Sequence, residues 1–153
     1  MSDLKALFSD LIRCETELWN AVDERLRSEH DLPLSWFEPM QVMSARTACR
    51  VVDIKEGLSI TVGGASKLVD RIEASGLCRR RANPTDRRSQ IVELTPAGRR
   101  MLANATKSFE DELHTRLGAV VSEKELDQLG TTLRTLRASN RRPAQRLQPH
   151  SLA

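Results

Sequence analysis

The chain has 153 residues, of which 39% are hydrophobic, 29% are charged and 3% are aromatic, and it contains no tyrosine. This composition predicts one folded domain whose core is built mainly from aliphatic side chains. No run approaches the roughly eighteen apolar residues of a membrane span, and the amino terminus lacks a secretion signal. We therefore expect a cytoplasmic protein without a membrane segment. Its three cysteines form no CxxC pair, which predicts reduced thiols.

The net charge of +3 is distributed unevenly along the chain. Residues 1–30 carry four basic and seven acidic side chains, whereas residues 61–100 carry nine basic and four acidic ones. Residues 139–153 add three arginines and no acid. A nucleic acid would therefore meet the middle of the chain. The alternative interpretation of such a basic run is an ordinary solvated surface.

In chain order, the first predicted element is a long helix over about residues 2–30. Ser2 can cap it, because its hydroxyl can accept a backbone hydrogen bond. Its apolar stripe is wide for one partner, which is typical of a helix shared between a core and an interface. The sequence Ser35 to Glu38 has the spacing of a capping box, which predicts a second helix that ends near Thr47.

The next stretch reads as two short helices joined by a tight turn at Ser59 and Ile60. Thr61 can cap the second of them, and Gly76 stands where a helix ends in a left-handed residue. One face of this helix is apolar at spacings of three and four. The apolar residues are Ala65, Leu68, Val69 and Ile72.

A basic hairpin follows, with predicted strands at 78–81 and 90–94. The turn between them is Asn83-Pro84-Thr85-Asp86, and Arg87 and Arg88 come directly after it. Two short helices, a turn and a hairpin make a winged helix-turn-helix, predicted here over about residues 48–95. The second helix of such a unit is shaped for the major groove of DNA.

Two further helices are predicted after the hairpin. Thr95 and Pro96 are the cap and first residue of one, which we expect to run to about Val120. Ser122 and Glu125 form a second capping box, followed by a leucine stripe with coiled-coil spacing. Residues 139–153 have no periodic apolar set and are predicted to be a mobile basic tail.

The predicted fold class is therefore mainly α, with a two-stranded wing inside a single domain over residues 1–138. A single copy would leave the long helices at 2–30 and 96–138 with exposed apolar faces. Pairing with a second copy would bury those faces and set two recognition helices about one DNA turn apart. The predicted interface residues are Leu4, Phe8, Leu11, Leu126, Leu129, Leu133 and Leu136.

The sequence resembles the MarR family of bacterial transcriptional regulators over roughly residues 2–138. The resemblance rests on Leu68-Val69-Asp70-Arg71-Ile72-Glu73 before Gly76-Leu77, on Arg79-Arg80-Arg81, on Asp86-Arg87-Arg88-Ser89, and on Val92-Glu93-Leu94-Thr95 before Gly98. It implies a homodimer that binds a palindromic promoter site on double-stranded DNA, usually as a repressor. It also implies that a small aromatic or anionic ligand releases the DNA.

The resemblance also assigns DNA-facing positions. It sets Arg71 against the DNA backbone and Asp86 beside the arginines of the wing tip, where one guanidinium enters the minor groove. An adjacent carboxylate can hold a guanidinium, and a narrow minor groove attracts it. The full set of DNA-facing candidates is Thr61, Val62, Gly63, Gly64, Ser66, Lys67, Arg71, Arg81, Asp86, Arg87 and Arg88.

This chain departs from the family at Val62-Gly63-Gly64, where relatives often carry polar or basic side chains. Two glycines weaken a helix by about 1 kcal/mol each relative to alanine. They also allow the backbone to approach DNA closely, and the valine can contact a thymine methyl. We therefore expect sparse direct base readout and a larger contribution from the wing.

A ligand pocket is the least defined prediction. Aromatic and methionine side chains could line it, with a basic residue to meet an anion; the alternative is that they fill the core. The candidates are Arg13, Trp19, Trp36, Phe37, Met40 and Arg46.

Other functions have weaker signals in the sequence. Cys14 lies on the first helix near the reactive thiol of peroxide-sensing relatives, so a redox-sensing regulator of the same fold is one alternative. A winged-helix module for protein partners is another. The histidines share no metal-ligand spacing, and no triad or cofactor motif is present. We therefore predict neither a metal, nor a cofactor, nor an enzyme.

Overall fold

A computed structural model of the protein describes residues 1–58 and 60–141. The part of the predicted turn at Ser59 and the tail from residue 142 lie outside these residues. The chain separates into two units, one spanning Met1–Leu113 and a second that begins at His114. The first unit contains α1 (Leu4–His30), α2 (Leu34–Ala45), α3 (Val51–Leu58), α4 (Val62–Ala74), β1 (Cys78–Ala82), β2 (Gln90–Leu94) and α5 (Pro96–Leu113).

The start of α1 corrects one prediction. Asp3, and not Ser2, is the capping residue, and its Oδ1 accepts hydrogen bonds from the backbone N–H groups of Lys5 at 3.0 Å and Ala6 at 3.1 Å. A carboxylate at this end also interacts favourably with the helix dipole. The helix ends at Asp31, whose φ of 53° is left-handed.

The start of α2 corrects a second prediction, because Ser35 does not form a capping box. The helix begins at Leu34 with Pro33 as the capping residue, and it ends at Ala45, short of Thr47. The Leu34 N–H instead donates to Asp23 Oδ1 of α1 at 2.8 Å. A carboxylate from a neighbouring helix thus satisfies an N–H that a local cap would otherwise serve.

The core of the first unit lies where α1, α2, α4 and α5 meet. Leu26, Phe37 and Met40 are completely buried, and the Phe37 and Phe109 rings pack with centroids 4.7 Å apart. The outer side of the α1–α5 contact is polar, where Arg25 Nη1 donates to Glu112 Oε2 at 3.2 Å. Among the described residues, no helix combines the length and apolar character needed to cross a membrane.

The winged unit has the predicted form. Thr61 Oγ1 caps α4 by accepting from the Gly64 N–H at 3.0 Å, and Gly76 follows the helix with a φ of 77°. Strands β1 and β2 pair antiparallel with Cys78 opposite Leu94, and β1 extends one residue further than predicted. The Val92 N–H donates to the Cys49 carbonyl at 2.7 Å, which ties the wing to the segment before α3.

The first turn of α5 packs directly on the end of α4. As predicted, Thr95 caps α5, and its Oγ1 accepts from the Gly98 N–H at 3.0 Å. The same hydroxyl donates to the Gly76 carbonyl at 2.6 Å, and the Thr95 N–H donates to the Leu77 carbonyl at 3.0 Å. A methyl group built on Gly98 would lie 1.9 Å from the Leu77 oxygen, so only glycine fits there.

The second unit begins with a π-helical turn at His114–Gly118, so the α-helix predicted to reach Val120 ends instead at Leu113. Helix α6 spans Glu123–Arg141, and the predicted capping box forms, since the Ser122 N–H donates to Glu125 Oε2 at 2.9 Å. Residues 139–141 are helical and are therefore not part of a mobile tail. In this single chain Leu129 and Leu136 are 49% and 48% exposed.

The close contact at Gly98 predicts a large effect of a small substitution. Gly98→Ala should lower the free energy of unfolding by about 1–3 kcal/mol, because the backbone must shift to admit the methyl group. Gly63→Ala is the matched control, since nothing lies within 4 Å of its Cβ. It should raise stability by up to about 1 kcal/mol through helix propensity. Urea denaturation measures the free energy of unfolding of both variants. An unchanged free energy of unfolding in Gly98→Ala would contradict the close contact.

Candidate nucleic-acid interface

One side of α4 is accessible to solvent. Thr61, Val62, Gly63, Lys67 and Arg71 are exposed. Gly64 and Ser66 are half-buried, so all seven candidates predicted at the cap and on α4 are at least partly accessible. This face combines a helix amino terminus with two basic side chains, which suits it to a polyanion.

The first turn of this face presents backbone more than side chain. Val62 is 53% exposed, and a Cβ on Gly63 would meet only open space. A Cβ on Gly64 would lie 3.1 Å from Thr61 Oγ1, so this second glycine also gives room to the helix cap. The two glycines therefore differ: Gly63 leaves space for an external partner, and Gly64 accommodates the cap.

The wing tip is held by its own polar side chains. Asn83 Oδ1 accepts from the Thr85 N–H at 3.1 Å, and Asp86 Oδ1 accepts from the Arg88 N–H at 2.9 Å. The Asp86 carboxylate thus fixes the backbone of Arg88, and not its guanidinium as the family resemblance implied. Arg87 and Arg88 are exposed at the end of the hairpin. The arrangement presents two cations on a stiffened turn.

Glu93 pairs with two arginines of the opposite strand. Its Oε1 accepts from Arg79 Nε at 2.8 Å and its Oε2 from Arg81 Nε at 3.1 Å. These hydrogen bonds lower the pKa of the Glu93 carboxyl below its usual range, and the bond from Arg79 has the largest effect. Arg81, a predicted DNA contact, therefore already has a carboxylate partner on the wing.

Arg80 joins the wing to the recognition helix and was missed by sequence reasoning. Its guanidinium, 18% exposed, lies 2.7 Å from Asp70 Oδ1 and 3.2 Å from Glu73 Oε1. Its backbone N–H also donates to Glu73 Oε2 at 2.7 Å. Two sequence signals could have identified it. Side chains alternate along a strand, so Arg80 faces the side opposite Arg79 and Arg81. Asp70 and Glu73 are three residues apart on α4 and therefore lie close together on that helix.

A basic cleft of about 390 Å³ opens between the start of α3, α4 and the wing. Three arginines contribute to it: Arg80, the exposed Arg88, and Arg50, whose Nε lies 3.5 Å from Asp53 Oδ2. Guanidinium groups and hydroxyls are the donors that suit phosphate oxygens. The cleft thus continues the positive surface from the wing to α3. Its lining residues are Arg50, Val51, Val52, Ser66, Arg80, Arg88, Ser89 and Gln90.

The six ligand-pocket candidates are not brought together. Phe37 and Met40 are fully buried core residues, and Trp36 lines a separate cleft with His30 and Met101. Only Trp19 lines an apolar groove, of about 190 Å³. Arg13 is exposed on α1 and Arg46 lies 3.5 Å from Asp53, and neither lines that groove. The groove is lined by Glu15, Leu18, Trp19, Val22, Leu34, Glu38, Phe109 and Leu113.

The cysteines occupy two kinds of environment. Cys49 and Cys78 are buried, and burial raises the pKa of each thiol to about 11, so both stay protonated at neutral pH. Cys14 is exposed on α1. Within residues 1–58 and 60–141, no three histidine, cysteine or acidic side chains are grouped so that they could hold a metal ion.

Comparison with known proteins gives one consistent match. The family model described as "MarR family" matches residues 43–90. The multiple antibiotic resistance protein MarR of Escherichia coli is 24% identical over 123 residues, which are 76% of this chain and 85% of that protein.

Solved structures agree with this match. The MarR family transcriptional regulator Sco3205 from Streptomyces coelicolor, solved in complex with DNA, has a TM-score of 0.84 at 21% identity, over 92% of this chain and 88% of that one. The transcriptional repressor CouR, bound to a 23-mer DNA duplex, has a TM-score of 0.78 at 25% identity, over 90% and 99% of the two chains.

The fold and the basic face define a winged helix-turn-helix protein. The family match runs from the last turn of α2 through α3, α4 and β1 to the first residue of β2. Over most of its length the chain is similar to transcriptional regulators of the MarR family.

The Arg80 contacts predict that this arginine stabilises the fold more than its neighbour does. Arg80→Gln should lower the free energy of unfolding by about 1–2 kcal/mol, because it removes several charge-assisted hydrogen bonds from a largely covered guanidinium. Arg79→Gln, which removes an exposed ion pair of the same strand, should have a much smaller effect. Guanidinium chloride titrations compare the two variants, and equal losses would show that Arg80 is an ordinary surface residue.

Proposed function

We propose that this protein is a homodimeric, cytoplasmic regulator that binds a palindromic promoter site on double-stranded DNA and acts as a repressor. The observation that carries the proposal is the accessible face of α4 beside the two exposed arginines of the wing tip, Arg87 and Arg88. The DNA-bound state of CouR supports it. No catalytic activity is expected from a member of this regulator family.

In this proposal α4 enters the major groove and the wing follows the backbone to the minor groove. Val62 contacts a thymine methyl, and the open surface at Gly63 brings the helix backbone close to the DNA. Lys67 and Arg71 meet phosphates, as do the arginines of the basic cleft. Because the first turn of α4 offers few donors, much of the sequence preference comes from groove shape read by the wing.

A second copy would cover the exposed apolar face of α1. Leu4 and Phe8 are 72% and 66% exposed in the single chain, and Leu11 is 44% exposed. Such a contiguous apolar face in a water-dissolved protein indicates an interface. The leucine stripe of α6 provides a further apolar surface of the same kind, at Leu126, Leu129, Leu133 and Leu136.

Dimerisation has a direct measurement. Light scattering at micromolar concentration should give a mass near twice 17.2 kDa. Phe8→Glu should shift the population towards monomer, because a buried charge in an apolar interface is costly. Asp10→Glu on the same helix is the charge-preserving control. A monomeric wild-type protein would contradict both the dimer and binding to two half-sites.

The wing has its own test. Arg88→Ala should cost about 1–3 kcal/mol of specific DNA binding, as expected for a well-placed base contact. It should also lower the preference for A·T-rich flanks, because their narrow minor groove attracts a guanidinium. Titrations against matched A·T-rich and G·C-rich duplexes measure both effects.

Lys67→Ala is the comparison for that variant. It should weaken binding to all sequences alike and reduce the salt slope by about one unit, because one phosphate contact is lost. If Arg87→Ala and Arg88→Ala both leave affinity and flank preference unchanged, the wing is only a structural hairpin.

A small ligand is expected to weaken DNA binding by favouring a dimer whose recognition helices have the wrong spacing. The candidate binding site for this ligand is the apolar groove lined by Trp19. A winged-helix module for protein partners would instead bind no duplex at physiological salt, so a DNA titration at about 0.15 M salt separates the two functions.

A further inference from the structure

The apolar groove between α1, α2 and α5 lies outside the DNA-binding surface. Its walls are Leu18, Trp19 and Val22 from α1, Leu34 from α2, and Phe109 and Leu113 from α5. Its volume of about 190 Å³ is below the roughly 300–1,000 Å³ of pockets for drug-sized ligands. A ligand with one ring or two small rings therefore fits it.

The charged side chains that line this groove, within the described part of the chain, are both acidic. They are Glu15 on α1 and Glu38 on α2. Glu38 is half-buried, and among the residues that the structure describes none forms a hydrogen bond or ion pair with its carboxylate. Burial raises the pKa of the Glu38 carboxyl, because it disfavours the charged form.

We propose that this groove binds a small aromatic compound carrying a protonated amine, with the ring among the apolar side chains and the ammonium at Glu38. The ammonium supplies a counter-charge for Glu38, and the Trp19 indole, which also lines the groove, is a side chain that attracts cations. An anionic ligand would instead meet two carboxylates, because Arg13 and Arg46 lie elsewhere.

The position of the groove connects its ligand to DNA binding, and this step rests on the proposed function. Helix α1 carries the exposed apolar face, whereas α2 packs against α3, α4 and β2 of the winged unit. A ligand held between α1, α2 and α5 therefore contacts both the helix with the apolar face and a helix that packs on the winged unit. It changes DNA affinity to the extent that it prefers one arrangement of these helices over the other.

The first experiment measures binding directly. In a Trp36→Phe variant of the full chain, Trp19 is the sole tryptophan, because the sequence contains only two. Its emission is titrated with 2-phenylethylamine, 2-phenylethanol and 3-phenylpropionate at constant ionic strength and neutral pH. We expect saturable quenching by the amine, affinity at least tenfold lower for the alcohol, and no binding of the carboxylate.

Glu38→Gln should remove the preference for the amine over the alcohol while leaving the apolar walls intact. Glu17→Gln is the matched control, since it removes the same charge from an exposed position of α1 that does not line the groove. It should leave the preference within about twofold of the parent variant, because exposed charges are screened by solvent. Unchanged amine preference in Glu38→Gln would overturn the inference.

Duplex titrations with and without saturating amine test the regulatory step. The amine should weaken DNA binding at least fivefold in the parent protein and have no effect on Glu38→Gln. If DNA binds but no probe quenches Trp19, the inference is overturned while the proposed function stands. If the amine binds but no duplex does, the ligand site stands and the proposed function fails. A further outcome is that Trp19 emission does not change with any of the three probes but shifts when the protein is diluted to monomer. That result would mean that a second copy fills the groove, and it would also overturn the inference.

Discussion

The close approach of α5 to the end of α4 is the constraint on which the winged unit depends. The Thr95 hydroxyl and N–H donate to the carbonyls of Gly76 and Leu77, and Gly98 admits the Leu77 oxygen where any side chain would collide. This junction closes the base of the hairpin and fixes where α4 ends. The end of the recognition helix and the start of the wing are thus joined at one point by backbone groups and the Thr95 hydroxyl.

A second link between the wing and α4 is made by Arg80, further along β1. Its guanidinium and N–H hold Asp70 and Glu73, which ties the wing to α4. The same carboxylates would otherwise repel phosphates near the recognition helix. Neutralising them within the protein leaves the surface of α4 and the wing tip positive, with Lys67, Arg71, Arg87 and Arg88 exposed. A structural ion pair thereby sets the sign of the interface.

The sequence predicted the winged unit well because its signals are local. A cap at Thr61 and a left-handed glycine at Gly76 act within a few residues of themselves, and both are present as predicted. The turn was predicted at Asn83 to Asp86, and the hydrogen-bonded turn lies just after it, where the Ser89 N–H donates to the Asp86 carbonyl. The predictions at Ser2 and Ser35 were wrong for different reasons. At Ser2 the next residue is a better cap. At Ser35 the deciding group, Asp23, lies on another helix and is invisible to a local pattern.

The two candidate sites also differ in how far local sequence patterns could predict them. The candidate DNA-facing residues lie at the start and along α4 and on the hairpin that follows it, so local sequence patterns could place them on neighbouring parts of the fold. The six pocket candidates come from two helices and the segment after them, and their grouping depended on how α1 and α2 cross. That crossing buries Phe37 and Met40, turns Trp36 to another cleft, and leaves Trp19 on a groove whose charges are Glu15 and Glu38.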